Sequence, residues 1–178
     1  MIIIMKNHLS KVPSKRIVVP ARTILLEAGT VAKKMYLILS GCTRLWYNNN
    51  GKDITLQFFM PDQVVASFDS FLHNTPSEFT LESILPTEVE VFDKKDIEDA
   101  FKQSNELSVH LTMHAFELAS KYKKLFLSRI KNTPQQRYEA LLCEYPDIVA
   151  QIPQHYIATY LGVTPVSLSR IRARVSKT

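Results

Sequence analysis

The stretch from Ile152 to Ser176, IPQHYIATYLGVTPVSLSRIRARVS, constrains the fold more than any other part of the chain. Its spacing predicts two short helices joined by a tight turn. The first runs roughly over 154–161 and stops at Gly162, which accepts the left-handed backbone that a sharp helix exit requires. Thr164 is a suitable N-cap, and Pro165 falls at the first helical position, where its missing N–H costs nothing. Ile157, Ala158, Leu161, Val163, Leu168 and Ile171 form one apolar set, so the two helices must pack on each other, with small Ala158 allowing a close crossing. Arg170, Arg172 and Arg174 project from the second helix. This is the pattern of a helix-turn-helix whose second helix enters a major groove. The plainer alternative is a helical hairpin with a solvated basic face.

Charge distribution favours the first reading. Residues 1–120 hold 12 Lys and Arg against 14 Asp and Glu, whereas residues 121–178 hold 10 against 3. A basic last third behind a near-neutral body is what a nucleic-acid module attached to another unit looks like. Cys42 and Cys143 show no metal-ligand spacing and read as free thiols in a reducing compartment. No apolar run approaches the roughly 18 residues that a membrane span needs, and no signal peptide is evident, so a cytoplasmic protein without membrane contact is expected.

Upstream, short runs rich in β-branched and aromatic residues recur at 17–19, 23–26, 35–39, 43–47, 54–59, 80–84 and 88–92. Asn50-Gly51 between two of them is a hairpin signal. The spacing predicts a small antiparallel β-roll over residues 16–93. After a short helix, no Pro or Gly interrupts residues 105–131, which predicts a helix about 40 Å long. Leu107, Leu111, Leu118, Tyr122 and Leu125 make one stripe on it, and Val109, Met113, Phe116, Phe126 and Ile130 lie around the cylinder. A helix with two apolar faces wants two partners: the roll, and the same helix of a second chain. Thr133-Pro134 then opens a further helix. The organisation is α+β: a β-roll with short flanking helices (1–104), a long helix for dimerisation (105–132) and a helix-turn-helix unit (133–178).

That order, with these residues, resembles the catabolite-activator/FNR (Crp/Fnr) family of bacterial transcription regulators, in the forms common in Bacteroidetes-type bacteria. TILLEAGTVAKKMYLILSGCTRLWY (Thr23–Tyr47) is similar to the family's first strands, and GKDITLQFFMPDQVV (Gly51–Val65) to its next hairpin. YIATYLGVTPVSLSRIRARV (Tyr156–Val175) resembles its helix-turn-helix. The resemblance implies a cyclic-nucleotide-binding-like jelly roll, a homodimer along the long helix, and binding to a pseudo-palindromic double-stranded operator, with RNA polymerase as a further partner.

The chain departs from that family in three places. The family's phosphate cassette carries Gly-Glu-Leu and, about ten residues later, an arginine that neutralises the cyclic phosphate. Here Val64–Ser83 has neither glycine nor arginine, and of the cassette residues Val64, Ser67, Glu78, Thr80 and Glu82, two are acidic. A degenerate site that does not take cyclic AMP is expected, with no cofactor and any small-molecule effector of another kind. Pro165 and Val166 replace the Arg-Glu pair of the cyclic-AMP-responsive members, while Arg170 matches a later base-reading arginine. The sequence given ends at Thr178, so most or all of the usual β-hairpin wing is expected to be missing, and the N-terminal helix is expected to shrink to Met1–Ser14.

Arg170 is the candidate for base readout, with Ser169 and Val166 as lesser contacts; Gln154, His155, Thr164 and Ser167 are candidates for phosphate, and Arg172 and Arg174 for less specific charge. His110 and His114 have a spacing that could hold a metal, but no third ligand is evident and they read as surface histidines. No phosphate loop or nucleophile elbow appears, so an enzyme is not expected. The alternative function is a small-molecule or cyclic-nucleotide sensor acting through protein contacts rather than DNA.

Overall fold

The computed structural model describes residues 9–103 and 105–176, without the side chains of residues 101, 103, 105–107, 110, 111, 114 and 148. Most of the short N-terminal segment, and the side chains of Leu107, His110, Leu111 and His114, therefore lie outside the described residues.

Among the described residues, eight strands form two four-stranded antiparallel sheets. β1 (Lys15–Val19), β8 (Thr87–Asp93), β3 (Lys34–Ser40) and β6 (Val64–Val65) make one, in that order; β2 (Ile24–Leu26), β7 (Thr80–Ser83), β4 (Thr43–Asn49) and β5 (Lys52–Phe59) make the other. Alternation along β3 explains how the layers meet. Tyr36 and Ile38 point between the sheets to join Leu45, Phe59, Leu81 and Val89, while Met35 and Leu37 point to the opposite face. There they meet Phe71 of α1 (Phe68–His73) and Ile97 of α2 (Lys94–Gln103). β4 and β5 are joined through Asn50 and Gly51, both at positive φ (52° and 86°), the two-residue turn whose twist suits a hairpin.

α3 (Asn105–Lys131) is the long helix. α4 (Pro134–Glu144) begins with a full capping box: the Gln136 N–H donates to Thr133 Oγ1 while the Thr133 N–H donates to Gln136 Oε1. α5 (Pro146–Gln151), α6 (Gln154–Leu161) and α7 (Pro165–Val175) follow. The antiparallel roll, the long helix and the terminal helical unit match the architecture that the sequence predicts. β6 and α1, which fall in the stretch read as a ligand cassette, were not predicted as elements.

The helical unit does not hang free of the roll. Cys42, Phe58, Met60 and Ile84 of the roll share one buried cluster with Tyr138, Ile152, Tyr156, Ile157, Leu161, Leu168 and Ile171. α6 lies along β5, a contact between the two units that is not anticipated from the sequence.

Candidate nucleic-acid interface

α6 and α7 cross through their small and branched residues. Ala158, Leu161, Leu168 and Ile171 are buried between them. Gly162, at φ 69°, caps α6 in the left-handed region, and its N–H returns to the Thr159 carbonyl at 3.1 Å. Thr164 caps α7: its Oγ1 accepts from the Ser167 N–H at 3.2 Å and donates to Ser167 Oγ at 3.0 Å. Both hydroxyls proposed for phosphate contact therefore also hold the helix start.

With Leu168 and Ile171 turned inward, helix geometry carries Val166, Ser169, Arg170 and Ala173 to the outer face, where all four are exposed. Arg174 is exposed on one flank of that face. Arg172 leaves the helix about 200° away from Arg170 and is half-buried, so the three arginines do not form one row. Ser167, Arg170 and Arg174 border a shallow groove whose other wall is Thr133, Pro134 and Gln135 at the start of α4. Thr133 and Gln135 thus join the candidate surface. The sequence signal for them is the capped, proline-led helix start at Thr133-Pro134, a kind of terminus that offers N–H groups to an anion.

Gln154 is exposed at the first turn of α6. His155 sits elsewhere, against Tyr156 (ring centroids 4.0 Å apart) at the seam with the roll. Burial lowers its pKa, and the nearby Arg44 and Arg22 lower it further, against the opposing pull of Asp53 and Glu82. The structure thus groups His155 with roll residues rather than with Arg170.

The seam is built on one face of α6 carrying Tyr156, Thr159 and Tyr160. Thr159 Oγ1 donates to Thr55 Oγ1 at 3.0 Å, and Tyr160 packs on Phe58 with ring centroids 5.1 Å apart. The Arg44 guanidinium lies 3.9 Å from the Tyr156 ring centroid and 4.8 Å from that of Trp46. Arg44 is 2% exposed and is held by Glu82 Oε2, which accepts from Nε at 2.9 Å and from Nη2 at 2.7 Å.

That pairing corrects the expectation for Glu82. Its neighbour Leu81 points between the sheets, so Glu82 points to the opposite face, where its charge is taken by Arg44 instead of facing a ligand inside the roll. The other cassette residues are scattered. Val64 is buried in the apolar core; Ser67 Oγ accepts from Ser77 Oγ at 2.9 Å; Thr80 Oγ1 accepts from the Ala28 N–H at 3.2 Å; Glu78 is exposed.

Residues 16–104 match the family model described as cyclic nucleotide-binding domain. The chain belongs to the cyclic nucleotide-binding domain family. Among curated proteins none matches it in sequence. Solved structures match its fold throughout. FixK2 from Bradyrhizobium japonicum is 16% identical, with a TM-score of 0.80, over 93% of this chain and 85% of that one. A putative transcriptional regulator of the Crp/Fnr family from Eubacterium rectale is 17% identical, with a TM-score of 0.74, over 97% of this chain and 82% of that one. The catabolite activator protein of Thermus thermophilus is 19% identical, with a TM-score of 0.56, over 97% and 82%. These family and fold matches agree with the resemblance read from the sequence. No helix among the described residues is long and apolar enough to cross a membrane.

Proposed function

We propose that the chain is a homodimeric, sequence-specific DNA-binding transcription regulator. The observation that supports this most is the outer face of α7, where Arg170, Ser169 and Val166 are exposed while Leu168 and Ile171 anchor the helix. In this reading α7 enters the major groove, and Arg170 pairs with a guanine through O6 and N7. Thr133, Gln135, Ser167 and Arg174 take the flanking phosphates, helped by the N-terminal ends of α4 and α7.

Dimerisation is supported by α3. Val109, Met113, Phe116, Phe126 and Ile130 are each more than half exposed, an apolar stripe that water does not favour. Pairing two such stripes about a two-fold axis covers both and sets two copies of α7 about one DNA turn apart, roughly 34 Å. The operator is then a pseudo-palindrome.

The roll, in this reading, does not take cyclic AMP. No arginine occurs in Val64–Ser83, and Ser67 and Thr80 are engaged with protein partners. Calorimetry against cyclic AMP and cyclic GMP tests this; micromolar binding overturns it.

Selection of binding sites from random duplex DNA tests the main proposal. The expected product is a two-fold related motif, bound with an affinity that falls steeply between about 50 and 200 mM salt. Binding that is absent, or indifferent to salt, favours instead a sensor that acts through protein contacts.

A further inference from the structure

One residue of α7 points more squarely away from the core than its arginines do. At about 100° per residue, the buried anchors Leu168 and Ile171 leave the helix about 60° apart and define its inner side. Val166 and Ala173 lie within about 10° of the opposite direction, while Arg170 and Ser169 stand about 50° to either side of it. Val166 is in the first turn, the end of a recognition helix that meets base edges, and it is 62% exposed.

The packing of the fold gives this position no reason to be valine. Val166 does not belong to the apolar cluster that seats Leu168 and Ile171. A β-branched side chain is a weaker helix former than alanine, and this one leaves its methyls in water. Pro165 before it has no hydrogen-bonding side chain either, so neither of the first two helical positions can read a base through a side-chain donor or acceptor. In the major groove, base edges offer oxygens, ring nitrogens and amino groups, and one apolar group, the 5-methyl of thymine. Two valine methyls pressed on a polar edge strip it of water with nothing in exchange. On the thymine methyl they bury apolar surface of both partners.

We propose that Val166 selects a thymine by its 5-methyl group, on either strand and within two base pairs of the guanine that Arg170 takes. This rests on α7 being the helix that reads DNA. Val166 and Arg170 are one turn apart, about 6 Å along the helix axis, which spans roughly two base-pair steps of about 3.4 Å each. Base choice in each half-site then has two sources of different chemistry. Arg170 supplies hydrogen bonds to a guanine, and Val166 supplies an apolar fit to thymine together with exclusion of the polar base edges.

Titration of the full chain on the duplex it selects from a random pool tests this. Each thymine of one half-site is replaced in turn by deoxyuridine, which loses the 5-methyl and keeps every hydrogen-bonding group. One replacement should weaken binding about fourfold, the worth of one buried methyl, and the others less than about twofold. Val166→Ala keeps a good helix former at an exposed position and removes both γ-methyls, so this variant should bind the sensitive duplex and its deoxyuridine form equally. The guanine is located as the base pair at which Arg170→Ala loses its preference. The proposal is overturned by a half-site in which no thymine is sensitive to loss of its methyl, by a sensitive thymine more than two base pairs from that guanine, or by the same penalty in Val166→Ala. A chain that selects a two-fold motif but ignores the methyl overturns this inference alone; a chain that selects no duplex overturns the DNA reading and this inference with it.

Discussion

The guanidinium of Arg44, on a strand of the roll, rests 3.9 Å from the ring centroid of Tyr156, on the first helix of the helix-turn-helix. Glu82 holds the same guanidinium from within its sheet, and Asp53 reaches it at 3.5 Å. One buried cation therefore joins the sheet to the terminal helical unit. α6 packs on the roll through Tyr156, Thr159 and Tyr160 and on α7 through Ala158 and Leu161, so one helix bridges β5 and α7.

Breaking the Arg44–Glu82 pair should be costly. A buried ion left without its partner costs about 3–5 kcal/mol, whereas an exposed pair contributes about 1 kcal/mol or less. Glu82→Ala leaves Arg44 buried, with only half-exposed Asp53 as counter-charge. Urea unfolding should show a loss of about 3 kcal/mol; a loss below about 1 kcal/mol would mean that Asp53, Thr55 and the two rings hold the cation by themselves.

Acidification should loosen the same seam through His155. Its folded pKa lies below the ordinary 6.5, chiefly from burial and then from Arg44 and Arg22, with Asp53 and Glu82 opposing. The unfolded chain takes up a proton first as pH falls through 6.5, so stability drops between that value and the lower folded pKa and is unaffected above it. Melting temperatures recorded from about pH 8 to 5.5 should show this drop, and His155→Gln should shrink it. An unchanged slope in the variant would assign the drop to other groups.

The roll was legible because its strands alternate and its hairpin is marked by Asn50-Gly51. The helix-turn-helix was legible because Gly162 and Thr164-Pro165 punctuate an apolar set with helical spacing. The seam was not. Arg44 is a lone charge within a strand run, and nothing local announces that Glu82, 38 positions away, and Tyr156, beyond the long helix, enclose it. Tyr156, Thr159 and Tyr160 share one helix face, but two Tyr and a Thr carry too weak an apolar pattern to name a sheet as their partner. Strand alternation around Leu81 held the information that Glu82 turns away from the inside of the roll; reading the region as a ligand cassette hid it.

The two thiols should differ sharply in reactivity. Cys42 is fully buried, and burial pushes its thiol up to about 12, whereas Cys143 is exposed. The thiolate is the reactive form, so iodoacetamide at about pH 8 should label Cys143 alone in the native protein and both residues in denaturant. Mass spectrometry of the labelled peptides decides it. Native labelling of Cys42 at a comparable rate would mean that the seam opens readily, since Cys42 belongs to the cluster that joins the roll to the helical unit.

A charge in the exposed stripe of α3 should prevent pairing without unfolding the chain. Phe116 is 68% exposed, so Phe116→Asp sacrifices little intramolecular packing but places a carboxylate where two apolar stripes would meet. Sedimentation should show a monomer with an unchanged circular dichroism spectrum, and affinity for a two-fold site should fall well below that of the parent. A dimer of unaltered stability would place the interface elsewhere.

Arg170 and Arg174 should separate by the kind of information each reads. Arg170 stands on the outer face of α7 with Val166 and Ser169, where a bidentate contact to one guanine is geometrically open. Arg174 is exposed on the flank, in the groove with Ser167 and Thr133, and in the proposed reading it meets the phosphate backbone. Arg170→Ala should therefore cost about 1–3 kcal/mol on the preferred site and relax the preference at one base pair per half-site. Arg174→Ala should weaken all sequences alike and make the salt dependence shallower by about one unit of slope. Titrations on the selected duplex and on single-base variants, at several salt concentrations, measure both quantities. If Arg170→Ala lowered affinity evenly across all duplexes and reduced the salt slope, it would be a phosphate contact, and base choice would fall to Val166 and Ser169.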